Sequence, residues 1–157
     1  YHTHIADLTD LAKTFPDTTI ILNHLGGPIG IGTYAGRRDE VFAAWKPAIA
    51  KLAQYPNVVA KVGGIQMVVN GYGWHERAAP PSSDELVAAN QDWYDYIIEQ
   101  FGPQRCMFES NFPVDKLSCS YTVLWNQFKK LTKGYSANER AAMFHDTAKR
   151  VYRLPQV

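Results

Sequence analysis

A chain of 157 residues, 46% of them hydrophobic, is long enough to bury a sizeable core in one domain, and its composition gives no sign of disorder. Sixteen basic against fifteen acidic side chains leave a formal charge of +1, without the electrostatic footprint of a nucleic-acid or membrane-surface binder. Cys106 and Cys119 are too few for a disulfide framework or a thiolate zinc site, and neither a signal peptide nor a membrane-length apolar run is visible. The expectation is a cytoplasmic protein with reduced thiols.

The first residue is Tyr1 and not Met, and an ordered-looking segment follows at once, so the chain is expected to be cut from a longer one. Tyr1 to His4 reads as the end of a strand, with His2 and His4 on one face. Ile5, Leu8, Leu11, Ala12 and Phe15 then fall at helical spacing until Pro16-Asp17 stops them. Thr18 to Leu22 is a short apolar run without alternation, the pattern of a strand covered on both faces. It ends abruptly in Asn23-His24-Leu25-Gly26-Gly27-Pro28. Five glycines and a proline between Gly26 and Gly36 make a long loop.

Arg37 to Glu40 leads into a second helix with Val41, Phe42, Trp45, Ile49 and Leu52 on its buried face, ending by Tyr55-Pro56, and Pro47 is expected to kink or restart it. Asn57 to Lys61 supplies a second short strand, Val58-Val59-Ala60, closed by Gly63-Gly64. An aromatic connection from Ile65 to Pro81 follows, carrying Trp74 and His75. Ser82 and Glu85 have capping-box spacing and open a third helix, which continues through Leu86, Trp93 and Ile97 to Phe101. Arg105 to Phe108 is a third strand, running into Glu109-Ser110-Asn111-Phe112-Pro113-Val114-Asp115. Two helices complete the chain, one with Tyr121, Leu124, Trp125, Phe128 and Leu131 on a face. The other begins at the box Ser136 to Glu139 and carries Ala141, Phe144, Ala148 and Val151. Strand, helix, strand is a parallel crossover unit, and three such strands belong to an open sheet or to an arc of a barrel. No linker divides residues 1–157.

In parallel sheets the working residues sit past the carboxyl ends of the strands. His24, Lys61 and the segment Glu109 to Asp115 therefore converge on one rim, together with the His2-Thr3-His4 segment. An imidazole there serves as a general acid or base, and imidazoles with a carboxylate are common ligands for zinc, manganese and iron. Each residue has a structural alternative. His24 can be a hydrogen-bonded histidine at a strand end, Lys61 a rim charge, and His2 part of a flexible terminus. The acids after the third strand can cap or solvate a loop, and Trp74-His75 is either a pocket wall or an exposed loop. His145, mid-helix beside Phe144, reads as structural.

The segments Phe15-Pro16-Asp17, Leu22-Asn23-His24-Leu25-Gly26-Gly27-Pro28 and Arg105-Cys106-Met107-Phe108-Glu109-Ser110-Asn111-Phe112-Pro113 resemble the C-terminal half of the amidohydrolase-2 family, in order and spacing as well as in words. The resemblance covers essentially the whole chain. It implies the C-terminal portion of a (β/α)8 TIM barrel, with about three parallel strands and flanking helices, in a hydrolase acting on a small cyclic ester. A decarboxylase of the same family is the near alternative, and a truncated, non-catalytic interaction scaffold the distant one.

Carried over by motif, His2 matches the family's fifth-strand histidine, a metal ligand, and His24 its sixth-strand histidine, a ligand or acid/base group. The eighth-strand motif of the family is Ser-Asp before an aromatic residue and Pro, and here Asn111 stands in the Asp position. An amide is not a carboxylate base and is a poor metal ligand, so Glu109 or Asp115 takes over, or the site works without a tightly held metal. The implied cofactor is a divalent metal, zinc or manganese, or none. The implied partners are a small-molecule substrate bound near Lys61, Trp74 and His75, and a second copy in a homo-oligomer. Three strands cannot close a barrel, so the chain by itself is expected to expose apolar edges, to be poorly stable and to be catalytically inactive.

Overall fold

The most apolar stretches of the chain become three short strands, β1 (Ile20–Leu22), β2 (Val58–Val62) and β3 (Cys106–Phe108). In the computed structural model, which describes residues 1–155, they form one parallel sheet in the order β1-β2-β3. The register pairs Ile20 with Val58 and Leu22 with Ala60, then Ala60 with Cys106 and Val62 with Phe108. Parallel neighbours need long crossovers, and helices α2 (Arg38–Ala53) and α3 (Ser83–Phe101) provide them. Helix α1 (Ile5–Thr14) precedes the sheet and α4 (Tyr121–Leu131) follows it.

The core forms where α2, α3 and α4 lie against the strands. Trp45 of α2 meets Trp93 of α3 with ring centroids 4.9 Å apart, and Phe108 of β3 stacks on Phe128 of α4 at 4.5 Å. Much of the high aromatic content is thus spent on fixing helices to the sheet, each pair adding to plain area burial. The Arg105 guanidinium closes the opposite end of the layer. It donates to the carbonyls of Ala53, Tyr55, Val58 and Phe101, tying the end of α2 to the start of β2 and the end of α3. The capping box at α3 forms as the spacing predicts: Ser82 Oγ accepts from the Glu85 amide and Glu85 Oε2 from the Ser82 amide.

Several expectations need correction. His2–His4 is a 3-10 turn and not a strand end, so His2 and His4 do not share a strand face. Pro47 sits inside α2 without restarting it. The carbonyl it leaves unbonded belongs to Ala43 on the exposed face, where water can satisfy it. Leu11 and Phe15, expected on the buried face of α1, are 46% and 51% exposed, because β1 is the outer strand and no further strand covers that side. The last helix does run from Ala137 to Val151 as expected, but as α5 (Ala137–Ala141) and α6 (Thr147–Val151) joined by a π-helical turn at Ala142–Asp146. His145 lies in that turn, exposed, with Nδ1 2.7 Å from Asp146.

The loops after β1 and β2 are stitched together at the carboxyl end of the sheet. The Gly30 amide donates to Val69, and the Asn70 side chain donates to the Pro28 carbonyl at 2.6 Å. A side chain on Gly30 would strike the Asn70 backbone, so the two loops touch only because this position is glycine.

Candidate active site

At the end of β1 the chain turns through consecutive left-handed residues, His24 and Leu25 with φ of 52° each, followed by Gly26 and Gly27. Glycine adopts this conformation freely, whereas histidine and leucine do so at a cost of roughly 1–2 kcal/mol each. Two contacts hold the turn. The Trp45 indole donates to the Leu25 carbonyl at 2.7 Å, and Glu109 Oε1 accepts the His24 backbone amide at 3.2 Å. The same Glu109 oxygen lies 2.6 Å from His24 Nδ1. Strain accepted so that one imidazole meets one carboxylate is a pattern of functional sites.

Lys61, near the end of β2, completes the group, with its ammonium 2.6 Å from Glu109 Oε2. Both carboxylate oxygens are therefore engaged, one by the imidazole and one by the ammonium. Burial pushes the Glu109 carboxyl up, but its bonds to His24 and Lys61 outweigh this and hold it below the usual carboxylate range. An ionised Glu109 accepts a hydrogen bond from Nδ1–H, which in the neutral ring leaves the lone pair on Nε2. The glycine pair after β2 makes room: a side chain on Gly64 would come within 2.5 Å of His24 Nδ1, and one on Gly63 within 2.7 Å of Glu109 Cγ.

Past β3 the loop places Asn111 and Asp115 against each other, the Asn111 amide donating to Asp115 Oδ1 at 2.8 Å. Asp115 is fully buried, and burial raises its carboxyl to about 6. His24 lines an open, largely apolar groove of about 710 Å³ with Leu22, Met67 and the α1 residues Ile5, Leu8 and Leu11.

The structure brings His24, Lys61 and Glu109 together and sets Asn111 and Asp115 on the adjoining loop. The other candidates lie elsewhere. His2 accepts the Ile29 amide on Nδ1 at 3.2 Å and packs edge-on against Tyr34. Trp74 and His75 line a different cavity, with Lys116 and Ser118 to Ser120. Trp74 stacks there on Tyr72, and the Arg77 guanidinium lies 5.3 Å from the centre of its ring. The salt bridge from Lys61 to Glu109 was not legible from spacing, because β2 and the β3 loop are 48 positions apart and only the parallel pairing juxtaposes them.

As donors to a metal these residues do not suffice. Glu109 has no free oxygen, and His2, accepting on Nδ1, carries its proton on Nε2. Among the described residues no three His, Cys, Asp or Glu side chains gather into a metal-holding group. At the rim His24 Nε2 is left open, with Glu109 behind it as the outer partner that metal-bound histidines commonly have, and the exposed His4 lines the same groove.

A parallel α/β layer with titratable side chains gathered past the carboxyl ends of its strands is an arrangement that open α/β sheets and barrels share. The chain belongs to the amidohydrolase family, whose model matches residues 1–154. It is 40% identical over 154 residues to the uncharacterized protein y4mH of Sinorhizobium fredii, a match covering 98% of this chain and 45% of that one. It is 33% identical over 138 residues to an L-fucono-1,5-lactonase of Burkholderia multivorans, covering 87% and 44% respectively. A solved amidohydrolase from Burkholderia multivorans, crystallised with bound HEPES, superposes with a TM-score of 0.83 at 29% identity over 99% of this chain and 51% of that one. A crystal form of the same protein with bound zinc gives a TM-score of 0.81 at 28% identity, covering 99% and 51%. The chain spans about half the length of the relatives it matches. It is thus a portion of a TIM-barrel fold, and no helix among the described residues is long and apolar enough to cross a membrane.

Proposed function

We propose that this chain supplies the acid-base half of a lactone hydrolase. The single observation that carries the reading is the group His24–Glu109–Lys61, with Glu109 held between the imidazole and the ammonium at 2.6 Å from each. The similarity to a protein named L-fucono-1,5-lactonase supports a small cyclic ester as substrate.

Hydrolysis of an ester needs an activated water and a stabilised oxyanion. His24 Nε2, its lone pair directed outward by Glu109, takes the proton of water as the oxygen attacks the lactone carbonyl, and returns it to the departing ring oxygen. Lys61 spends one N–H on Glu109 and keeps two for the developing oxyanion. Glu109 steadies the imidazolium and the ammonium at once. A neighbour crystallised with zinc shows that a relative of this fold accepts the ion; the steps above are those of this chain's own groups, and its described residues gather no metal-holding set.

The test is a lactone-hydrolysis assay on the complete barrel. His24→Asn is expected to lower kcat by about 10²- to 10⁴-fold with a smaller change in KM, the usual loss for a general base. Glu109→Gln should fall in the same direction. Rates unchanged in His24→Asn would remove the imidazole from the reaction.

A further inference from the structure

Asn111 has a left-handed backbone, φ 52°, and spends its Nδ2 on Asp115 Oδ1. Its side-chain oxygen Oδ1 accepts no hydrogen bond among the described residues and is not among the buried unpaired atoms, so it is available as a hydrogen-bond acceptor, while its backbone carbonyl accepts the Asp115 amide. Behind it, Asp115 is 0% exposed, forms no salt bridge among the described residues, and leaves Oδ2 without a partner. The groups that face Asp115 come from every neighbouring element. They are His24 after β1, the Gln66 backbone amide after β2, Glu109 after β3, the buried Tyr94 hydroxyl of α3 and the Cys119 thiol before α4. A carboxyl kept buried without a cation costs stability, and its one side-chain bond goes to the Asn111 amide.

We propose that Asn111 accepts a hydrogen bond from a hydroxyl group of the substrate through its side-chain oxygen, and that Asp115 is the positioning residue that keeps the amide turned that way. The proposal rests on the rim being the reaction site and narrows its substrate class to hydroxylated lactones. Asn111 lies two residues beyond Glu109 and its partner Asp115 faces His24 and Glu109, so the hydroxyl it reads lies on the same rim as the carbonyl under attack. An outward oxygen accepts from a hydroxyl and repels groups that only accept, so a carboxylate at that place on the ring is rejected. With an amide at position 115, Asn111 has no fixed partner polarity and turns either way.

The experiment measures binding of two unreactive analogues, D-glucono-1,5-lactam and δ-valerolactam, to the complete barrel by calorimetry. The wild type is expected to favour the hydroxylated lactam by about tenfold or more, the value of a well-placed hydrogen bond. Asn111→Ala and Asp115→Asn should bring that ratio toward one in protein that still melts cooperatively, while Asn111→Asp, which keeps an outward oxygen, should preserve it. A wild type without the preference, or variants that retain it, would overturn the proposal. Lactone hydrolysis by the wild type is read alongside: selective lactam binding without hydrolysis sinks the hydrolase reading and leaves this one standing.

Discussion

At the scale of single residues, the rim holds two carboxyls driven in opposite directions by their surroundings. Burial holds the proton on Asp115 up to about pH 6, above its ordinary value near 4. The native state therefore binds that proton more tightly than the unfolded chain, and stability falls as pH rises from about 4 to about 6. Glu109, held below its ordinary range by His24 and Lys61, contributes stability that is present above that range and lost as pH falls through its lowered value. Asp115→Asn should therefore gain stability relative to the wild type as pH is raised from 4 to 7, by about 3 kcal/mol at most. Thermal melts of both proteins across that window check this, and a constant difference would contradict it. The candidate His24 was legible because an apolar run stopping on a polar residue marks a strand end. Its bond to Glu109 was not, since the two are 85 positions apart.

At the scale of elements, β1 and its left-handed turn are held by α2 as much as by the sheet. The Leu25 carbonyl is turned inward by the left-handed backbone and finds its donor in the Trp45 indole, in a fully buried position. Trp45→Phe keeps the apolar packing and removes that donor, so it should cost about 1–3 kcal/mol, read from denaturant unfolding with the slope unchanged. An effect near zero would mean that the turn satisfies itself. Helix periodicity was enough to place Trp45 on the inner face. That its indole would serve the backbone of a loop twenty positions earlier depended on how α2 packs across the strand end.

At the scale of the whole molecule, the sheet is open at both sides. The Ile20 amide donates to Asn57, so by alternation along the strand the Ile21 amide points away from β2 toward the free edge. The apolar groove beside α1 lies on the same side, lined by Leu8, Leu11, Leu22 and Met67. Such an edge is a template for pairing, and a barrel removes it by closure. In this chain alone the Ile21 amide should exchange its hydrogen much faster than those of β2, and in the complete barrel it should become protected. Equal protection in both forms would place the barrel's neighbouring strand elsewhere.

By itself the sequence determined the element order, the parallel class and the motif words that mark the family, because those follow from local periodicity, turn chemistry and the short apolar runs of a covered sheet. Tertiary structure decided which residues meet. His24, Lys61 and Glu109 come from three strand ends and become neighbours only when those strands lie side by side. It also decided that His2 and Trp74 stand apart from them and that α1 keeps half its apolar face uncovered. Contacts of this kind depend on long-range pairing, which no local window of the chain encodes.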